Sequence, residues 1–368
     1  MDLKRLINGS FEHAEEVKEF FKNKDVNDRL DDGDIEGYEL LLRKPDGEVQ
    51  SISPISAVLF SADLPVYRNI VRDDLENRRN QILNTEEFPG NLAAYDRLLN
   101  LVKHKATVIP FVGAGFSVAS GCPSWSEYIE QEALNAGLKT DIAERLKVGD
   151  HENLMDEVVV ALGIDLFTRD FRSNFEGGRI TPALSPSSEL AGLFNECYIT
   201  TNFDRVLDHC HHESMPFDEK VVGKDDTGRF LKAIYRNEKY LLKLHGNIDE
   251  PRDRVLTKNE YDKGYGEGKV DYSFPIPRTL QRIFGSFTVL FVGCSLISDR
   301  YLDVLKETYS FAPALIPDHF AIVVAPDDEA ERLLRDRHLA SHGITPIWFA
   351  NGDWDKPEEI LKLLKLES

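Results

Sequence analysis

Ala106-Thr-Val-Ile-Pro-Phe-Val-Gly-Ala-Gly-Phe-Ser-Val-Ala-Ser-Gly-Cys-Pro-Ser-Trp125 decides how the chain folds. Thr107 to Val112 is an apolar, β-branched run, too short for a helix and suited to a strand covered on both faces. Gly113 and Gly115 follow at once, where a backbone can turn sharply and approach a ligand with no Cβ in the way. Ser117 and Ser120 can cap a helix starting there, leaving amide N–H groups aimed at an anion. The pattern predicts a strand, a phosphate-cradling bend and a short helix, although tight turns also use glycine for purely steric reasons. The third glycine of the dinucleotide fingerprint would fall at Val118. No acidic ribose ligand stands about 20 residues on, where Asn135 lies, so a hydride-transferring dehydrogenase is disfavoured.

Three later stretches share this design: Tyr198-Ile-Thr-Thr-Asn-Phe-Asp204, Tyr240-Leu-Leu-Lys-Leu-His-Gly246 and Val289-Leu-Phe-Val-Gly-Cys-Ser-Leu296. Each is an apolar run ending in small or polar residues, and ligands of open α/β sheets bind beyond the carboxyl ends of strands. Taken in order, Gly-Ala-Gly-x-Ser with Ser-Gly-x-Pro, Thr-x-Asn-x-Asp, His-Gly and Gly-x-Ser-Leu resemble the sirtuin family over residues 105 to 350.

The chain has 368 residues, 42% hydrophobic and 29% charged, enough for a large core and two domains. A formal net charge of −20 argues against direct nucleic-acid binding, which needs a basic surface. No apolar run reaches membrane-spanning length, and the charged amino terminus is no signal peptide, so no membrane association is expected. Cys122, Cys197, Cys210 and Cys294 have no paired spacing, which fits a reducing cytoplasm.

Residues 1–95 read as a small α+β module for packing or oligomerisation. An amphipathic helix is expected over Phe11 to Phe21, a hairpin turning at Pro45-Asp46-Gly47, and a charged helix over Val66 to Leu83, with a boundary at Pro89-Gly90. Residues 96–368 read as the main domain, with a helical insertion at about 124–192. Strands are expected at 107–112, 197–201, 240–244, 287–292, 319–324 and 344–349, alternating with helices. The fold class is therefore α/β: a Rossmann-type parallel sheet with helices on both faces.

His245 ends a strand and titrates near neutrality, which suits a general base, though a structural histidine is the plainer alternative. Asn202 can hold a ribose hydroxyl or a water without adding charge. Asn202 or Asp204 can equally start the helix that follows. His209 and His212, beside Asp208, share a helical face, but no second ligand group accompanies them, so no metal site is expected.

The resemblance adds roles. It makes His245 the catalytic base, places Asn202 on the ribose or attacking water, and brings Asp204 to the nicotinamide amide. It assigns Gly113, Ala114, Gly115, Ser117, Trp125 and Thr201 to NAD+ binding, with Gly293, Ser295 and Leu296 toward the adenosine side. The departures are equally informative. The two Cys-x-x-Cys pairs that hold zinc in protein-deacylating sirtuins are absent, so no zinc is expected. Their Ser-Gly-Ile-Pro-Asp-Phe-Arg becomes Ser120-Gly-Cys-Pro-Ser-Trp-Ser126, losing the acid and the arginine. What remains is similar to the sirtuin-like NAD hydrolases of bacterial antiphage defence, whose Leu-Thr-x-x-x-Tyr matches Leu256-Thr-Lys-Asn-Glu-Tyr261. That resemblance implies a NAD+ glycohydrolase acting by NAD+ depletion, self-associating, and regulated in trans by a HerA-type ATPase, because no sensor domain follows the fold. Alternatives are a zinc-free deacylase and a non-enzymatic NAD-binding scaffold.

Overall fold

The computed structural model describes residues 14–35, 37–38, 41–43, 45–51, 54–139, 141–176, 180–194, 196–210, 217–222, 228–248 and 253–368. The chain divides into two compact units, Met1–Ile82 and Leu83–Ser368.

In the first unit, helices Ala14–Lys22 and Lys24–Asp32 precede a hairpin of β1 (Leu41–Arg43) and β2 (Val49–Ser51), antiparallel with Leu41 opposite Ser51. Gly47 turns it at φ +88°, as the Pro45-Asp46-Gly47 signal predicts. Helices Ile55–Ala62 and Leu64–Ile82 follow, the second with Pro65 in its first turn, where a missing N–H costs nothing. Phe20, Phe60 and Tyr67 pack edge-on and stacked at 5.0–6.1 Å, and the Tyr67 hydroxyl donates to Asn27 Oδ1 at 2.6 Å. The amino-terminal part of the expected Phe11 to Phe21 helix lies outside the described residues.

The second unit holds a seven-stranded sheet of β3 (Val108–Val112), β4 (Cys197–Thr200), β5 (Glu219–Val222), β6 (Tyr240–Lys243), β7 (Thr288–Val292), β8 (His319–Val324) and β9 (Ile344–Phe349). Their order is β5-β6-β4-β3-β7-β8-β9, and every pairing is parallel. Strands β3, β4, β6 and β7 are buried at every residue, as strands covered on both faces must be. This is the expected α/β architecture. Edge strand β5 was not foreseen: Glu-Lys-Val-Val is too short and too charged to stand out from a loop. Helices from Trp125 to Glu176 and two 3-10 turns to Leu190 separate β3 from β4. They form their own aromatic layer around Tyr128, Phe167, Phe171 and Phe175.

From β3 the chain steps one way to β4 and β6, then returns to lay β7 on the other flank of β3. The switch between β3 and β7 opens the crevice in which such sheets bind ligands. At the far edge, helix Gly90–Lys103 protects β9. The Asn91 carboxamide acts as a stand-in strand, donating to Trp348 O at 2.8 Å and accepting from Trp348 N at 2.8 Å, while also donating to Leu83 O at 2.7 Å. Asn91→Ala strands three buried backbone groups and is expected to cost about 3 kcal/mol in equilibrium urea unfolding. An unchanged midpoint would mean the carboxamide is dispensable.

Candidate functional site

Register brings four strand ends level. Val112 pairs with Thr200 and with Val292, and Thr200 pairs with Lys243. The tips of β6, β4, β3 and β7 are thus consecutive neighbours spanning about 14 Å, at about 4.8 Å per strand.

The glycines of the bend meet each other. A Cβ on Gly113 would lie 2.4 Å from Gly293 O, and one on Gly115 would lie 2.9 Å from the same oxygen. A Cβ on Gly293, at φ +66°, would lie 2.7 Å from Phe116 N. The bare Cα positions therefore let the tips of β3 and β7 interlock, and the amides are largely spent there. Gly113 N donates to Val292 O and Gly115 N to Gly293 O, while Phe116 N and Ser117 N bond within the turn. Of the amides from Gly113 to Ser117, Ala114 N–H alone has no partner among the described residues. The expected anion cradle is thus narrower than the glycine spacing suggests.

Serine roles differ from expectation too. The short helix Gly115–Val118 has no side-chain cap. Ser124 caps the next helix, Trp125–Asn135, through a reciprocal box with Glu127. Ser117 Oγ instead accepts from Asn202 Nδ2 at 3.2 Å, and Ser120 Oγ is buried with no partner among the described residues.

Asn202 and Asp204 divide the two duties the sequence left open. Asp204 Oδ1 accepts from Val206 N at 2.8 Å, starting helix Val206–Cys210. Asn202, buried, keeps its carboxamide for the bend; its own N–H is held by Thr200 Oγ1, which in turn donates to Val112 O. Thr201 between them is half-buried. The half-buried Trp125 ring meets Phe203 at a tilt, 6.0 Å between centroids, and stacks on Tyr128 at 5.7 Å, tying the helical insertion to the β4 tip.

Lys243, within an apolar strand, was not singled out by the sequence reading. It is 2% exposed and donates to Asp204 O at 2.5 Å and Phe203 O at 3.4 Å, with Asp208 Oδ2 at 3.4 Å. A buried ammonium needs such partners, and in meeting them it clamps the turn carrying Asn202. Burial alone would raise the Asp208 carboxyl, but Lys243 and Lys220 outweigh it and hold it below the ordinary value. Asp208 is thus engaged in ion pairs; His211 and His212 lie outside the described residues. Among the described residues no group of three His, Cys, Asp or Glu is placed to hold a metal.

His245 stands two residues beyond Lys243, as Asn202 stands two beyond Thr200, on the adjacent strand. Its ring is 3% exposed, Nε2 lies 2.9 Å from the Tyr265 hydroxyl, and Tyr261 meets it edge-on at 5.2 Å. Burial pushes its pKa down to about 3, so the imidazole is neutral at physiological pH.

On the β7 side, Ser295 is exposed and its carbonyl accepts from Arg335; Leu296 is buried at φ +52°. Asp299 caps helix Arg300–Phe311 by accepting from Tyr301 N at 3.3 Å, and its Oδ2 accepts from the Tyr261 hydroxyl at 3.4 Å. Burial lifts Asp299 to about 7. Arg300 next to it binds Glu152 of the insertion, Asp262 and Gly266 O.

Gly293→Ala combines a forbidden φ with the Phe116 contact, so its urea midpoint should fall by the equivalent of about 2 kcal/mol. An unshifted midpoint would refute the interlock. Asp299, raised from about 3.9 to about 7, contributes stability fully present below pH 4 and lost as pH rises through 7. Asp299→Asn keeps a good cap, so its stability relative to the native chain should increase from pH 5 to pH 8. A constant difference across that range would show that the carboxyl titrates normally.

Residues 196–347, which contain β4, β6 and β7, match the SIR2-like domain model. The chain is 27% identical over 237 residues to a protein of Bacillus cereus called NAD(+) hydrolase ThsA, covering 61% of this chain and 45% of that protein. A protein of the same name from Enterococcus faecium is 26% identical over 212 residues, covering 55% of this chain and 40% of its own length. The chain thus spans less than half the length of these curated relatives. A solved Sir2 with a deacetylated p53 peptide and 3′-O-acetyl ADP ribose superposes with a TM-score of 0.34 and 12% identity, over 68% of this chain and 99% of that one. The SIR2-like match, within the parallel α/β unit Leu83–Ser368, thus lies across three of the four aligned strand tips.

Proposed function

We propose that the chain is a NAD+ glycohydrolase, cleaving NAD+ to nicotinamide and ADP-ribose. The observation that carries this reading is the placement of Asn202 and His245 at equivalent positions on adjacent parallel strands, with the Asn202 carboxamide on Ser117 of the glycine bend. A carboxamide and a neutral imidazole, both nearly dry, suit a sugar whose charge changes during reaction. The bond from C1′ to the nicotinamide nitrogen breaks with its electron pair going to the ring, which leaves neutral. The cationic sugar is captured by water, whose proton is then lost to His245 or solvent. Rate enhancement comes from orientation and fixed dipoles around that sugar. The pyrophosphate lies near Ala114, whose N–H is unspent, with Trp125, Thr201 and Asp204 on the nicotinamide side. Gly293, Ser295 and Leu296 lie on the adenosine side. The names of the ThsA relatives support the chemistry. Antiphage defence by NAD+ depletion, self-association, cytoplasmic location and a HerA-type ATPase partner belong to the same proposal and rest on the resemblance. The amino-terminal unit is assigned packing or oligomerisation.

The test is nicotinamide release from NAD+ by the purified full chain. Asn202→Ala and His245→Ala should each lower turnover by about 100-fold or more. Release only with an acyl-lysine peptide would make it a zinc-free deacylase, and NAD+ binding in calorimetry without release would make it a scaffold. No difference between the native chain and His245→Ala would sink the assignment.

A further inference from the structure

We propose that Tyr265 is a positioning residue that fixes His245 as the Nδ1–H tautomer, so that the resting imidazole meets its ligand as a hydrogen-bond donor. The Tyr265 side chain is fully buried in the core formed with Val255, Ile276, Leu296 and Tyr301, and it stacks on Tyr261 at 5.8 Å. Burial holds its phenol well above the ordinary value, so the hydroxyl keeps its hydrogen. A buried O–H must find an acceptor, and among the described residues His245 Nε2, at 2.9 Å, is the acceptor in reach. Were the imidazole hydrogen on Nε2, it would point at the phenol oxygen and the Tyr265 hydrogen would be left unpaired in an apolar core. The arrangement that satisfies both groups has Tyr265 donating to the Nε2 lone pair, which puts the ring hydrogen on Nδ1.

Tyr261 does not compete for Nε2, because its hydroxyl is directed to Asp299 Oδ2 and it offers His245 only a ring edge. A hydrogen bond given to the neutral ring also disfavours its protonation, in the same direction as burial. Base duty at Nε2 therefore begins only when Tyr265 lets go. Until then Nδ1–H, without a partner among the described residues, is the nitrogen that offers a hydrogen bond to a sugar hydroxyl. This builds on the assignment of His245 to the site, but the tautomer can be read without any turnover, so the two fail separately.

The experiment is a two-bond proton–nitrogen correlation spectrum of the full chain with 15N-labelled histidine, using His245→Ala to identify the signal. The native chain should show a protonated Nδ1 and an unprotonated Nε2, without titration between pH 8 and pH 6. Tyr265→Phe should move hydrogen onto Nε2, while Tyr261→Phe should leave the pattern as it is. A native spectrum with hydrogen on Nε2 overturns the proposal, even if Tyr265→Phe does not fold. So does a folded Tyr265→Phe variant that keeps the native pattern.

Discussion

The structure depends on a contact between backbones that tolerate no side chain: Gly113 and Gly115 against Gly293, where β3 and β7 end. These strands flank the topological switch, so their tips form the walls of the crevice. Alanine at any of the three positions would force the walls apart. Because the close approach is backbone to backbone, it consumes the amides of Gly113 and Gly115, which a phosphate-cradling loop would otherwise offer to a ligand. A glycine bend of the same outward pattern thus plays two parts, and here interlocking takes the larger share.

The second constraint is a buried charge. Lys243 lies inside a sheet whose buried positions are mostly apolar, and its ammonium is satisfied by two carbonyls of the β4 turn together with Asp208. Replacing it by a hydrophobe would remove an unfavourable burial, but it would also free the turn that presents Asn202. A buried ion pair is weak evidence for stability and better evidence for holding one conformation. The Thr200 hydroxyl does the same from the other side, bridging Val112 O and Asn202 N. Asn202 is held by its backbone, while its side chain remains free to face Ser117.

Six of the seven sheet strands were legible within about a residue, because long apolar runs bounded by glycine and polar residues admit few other readings. The four-residue β5 was not, since an edge strand has only one neighbour and little demand for apolar residues. Helix Lys24–Asp32 escaped for a similar reason: its buried face is only Val26, Asn27 and Leu30 among charges. At the site, Asn202 and His245 could be picked out as polar residues ending apolar strands. Lys243 gave the same kind of signal, a charge inside an apolar run, and its partner could have been sought. Tyr265 could not be found, because a tyrosine 20 positions after a histidine carries no mark of facing it. Neither could the trade of serines, in which Ser124 took the cap and Ser117 the carboxamide, since capping residues are interchangeable by type and distinguished only by where the helix starts.

The dryness of the site unites these observations. His245, Asn202, Ser117 and Asp204 are each less than a tenth exposed, although all four lie in the turns just beyond strand ends, where chains usually meet water. The helical insertion supplies the cover: Trp125 and Phe171 close over Phe203, and the Arg300–Glu152 pair fastens the insertion to the turn after β7. Under that cover a neutral imidazole is the stable form and the nearby Asp299 carboxyl resists ionisation, so burial disfavours net charge near the bend. A reaction in which a cationic sugar forms as a neutral base departs gains most from fixed dipoles in such surroundings, because water that would otherwise reorganise has already been excluded. In the proposed reaction the insertion would contribute through the solvent it removes, even where its residues do not reach the reacting atoms.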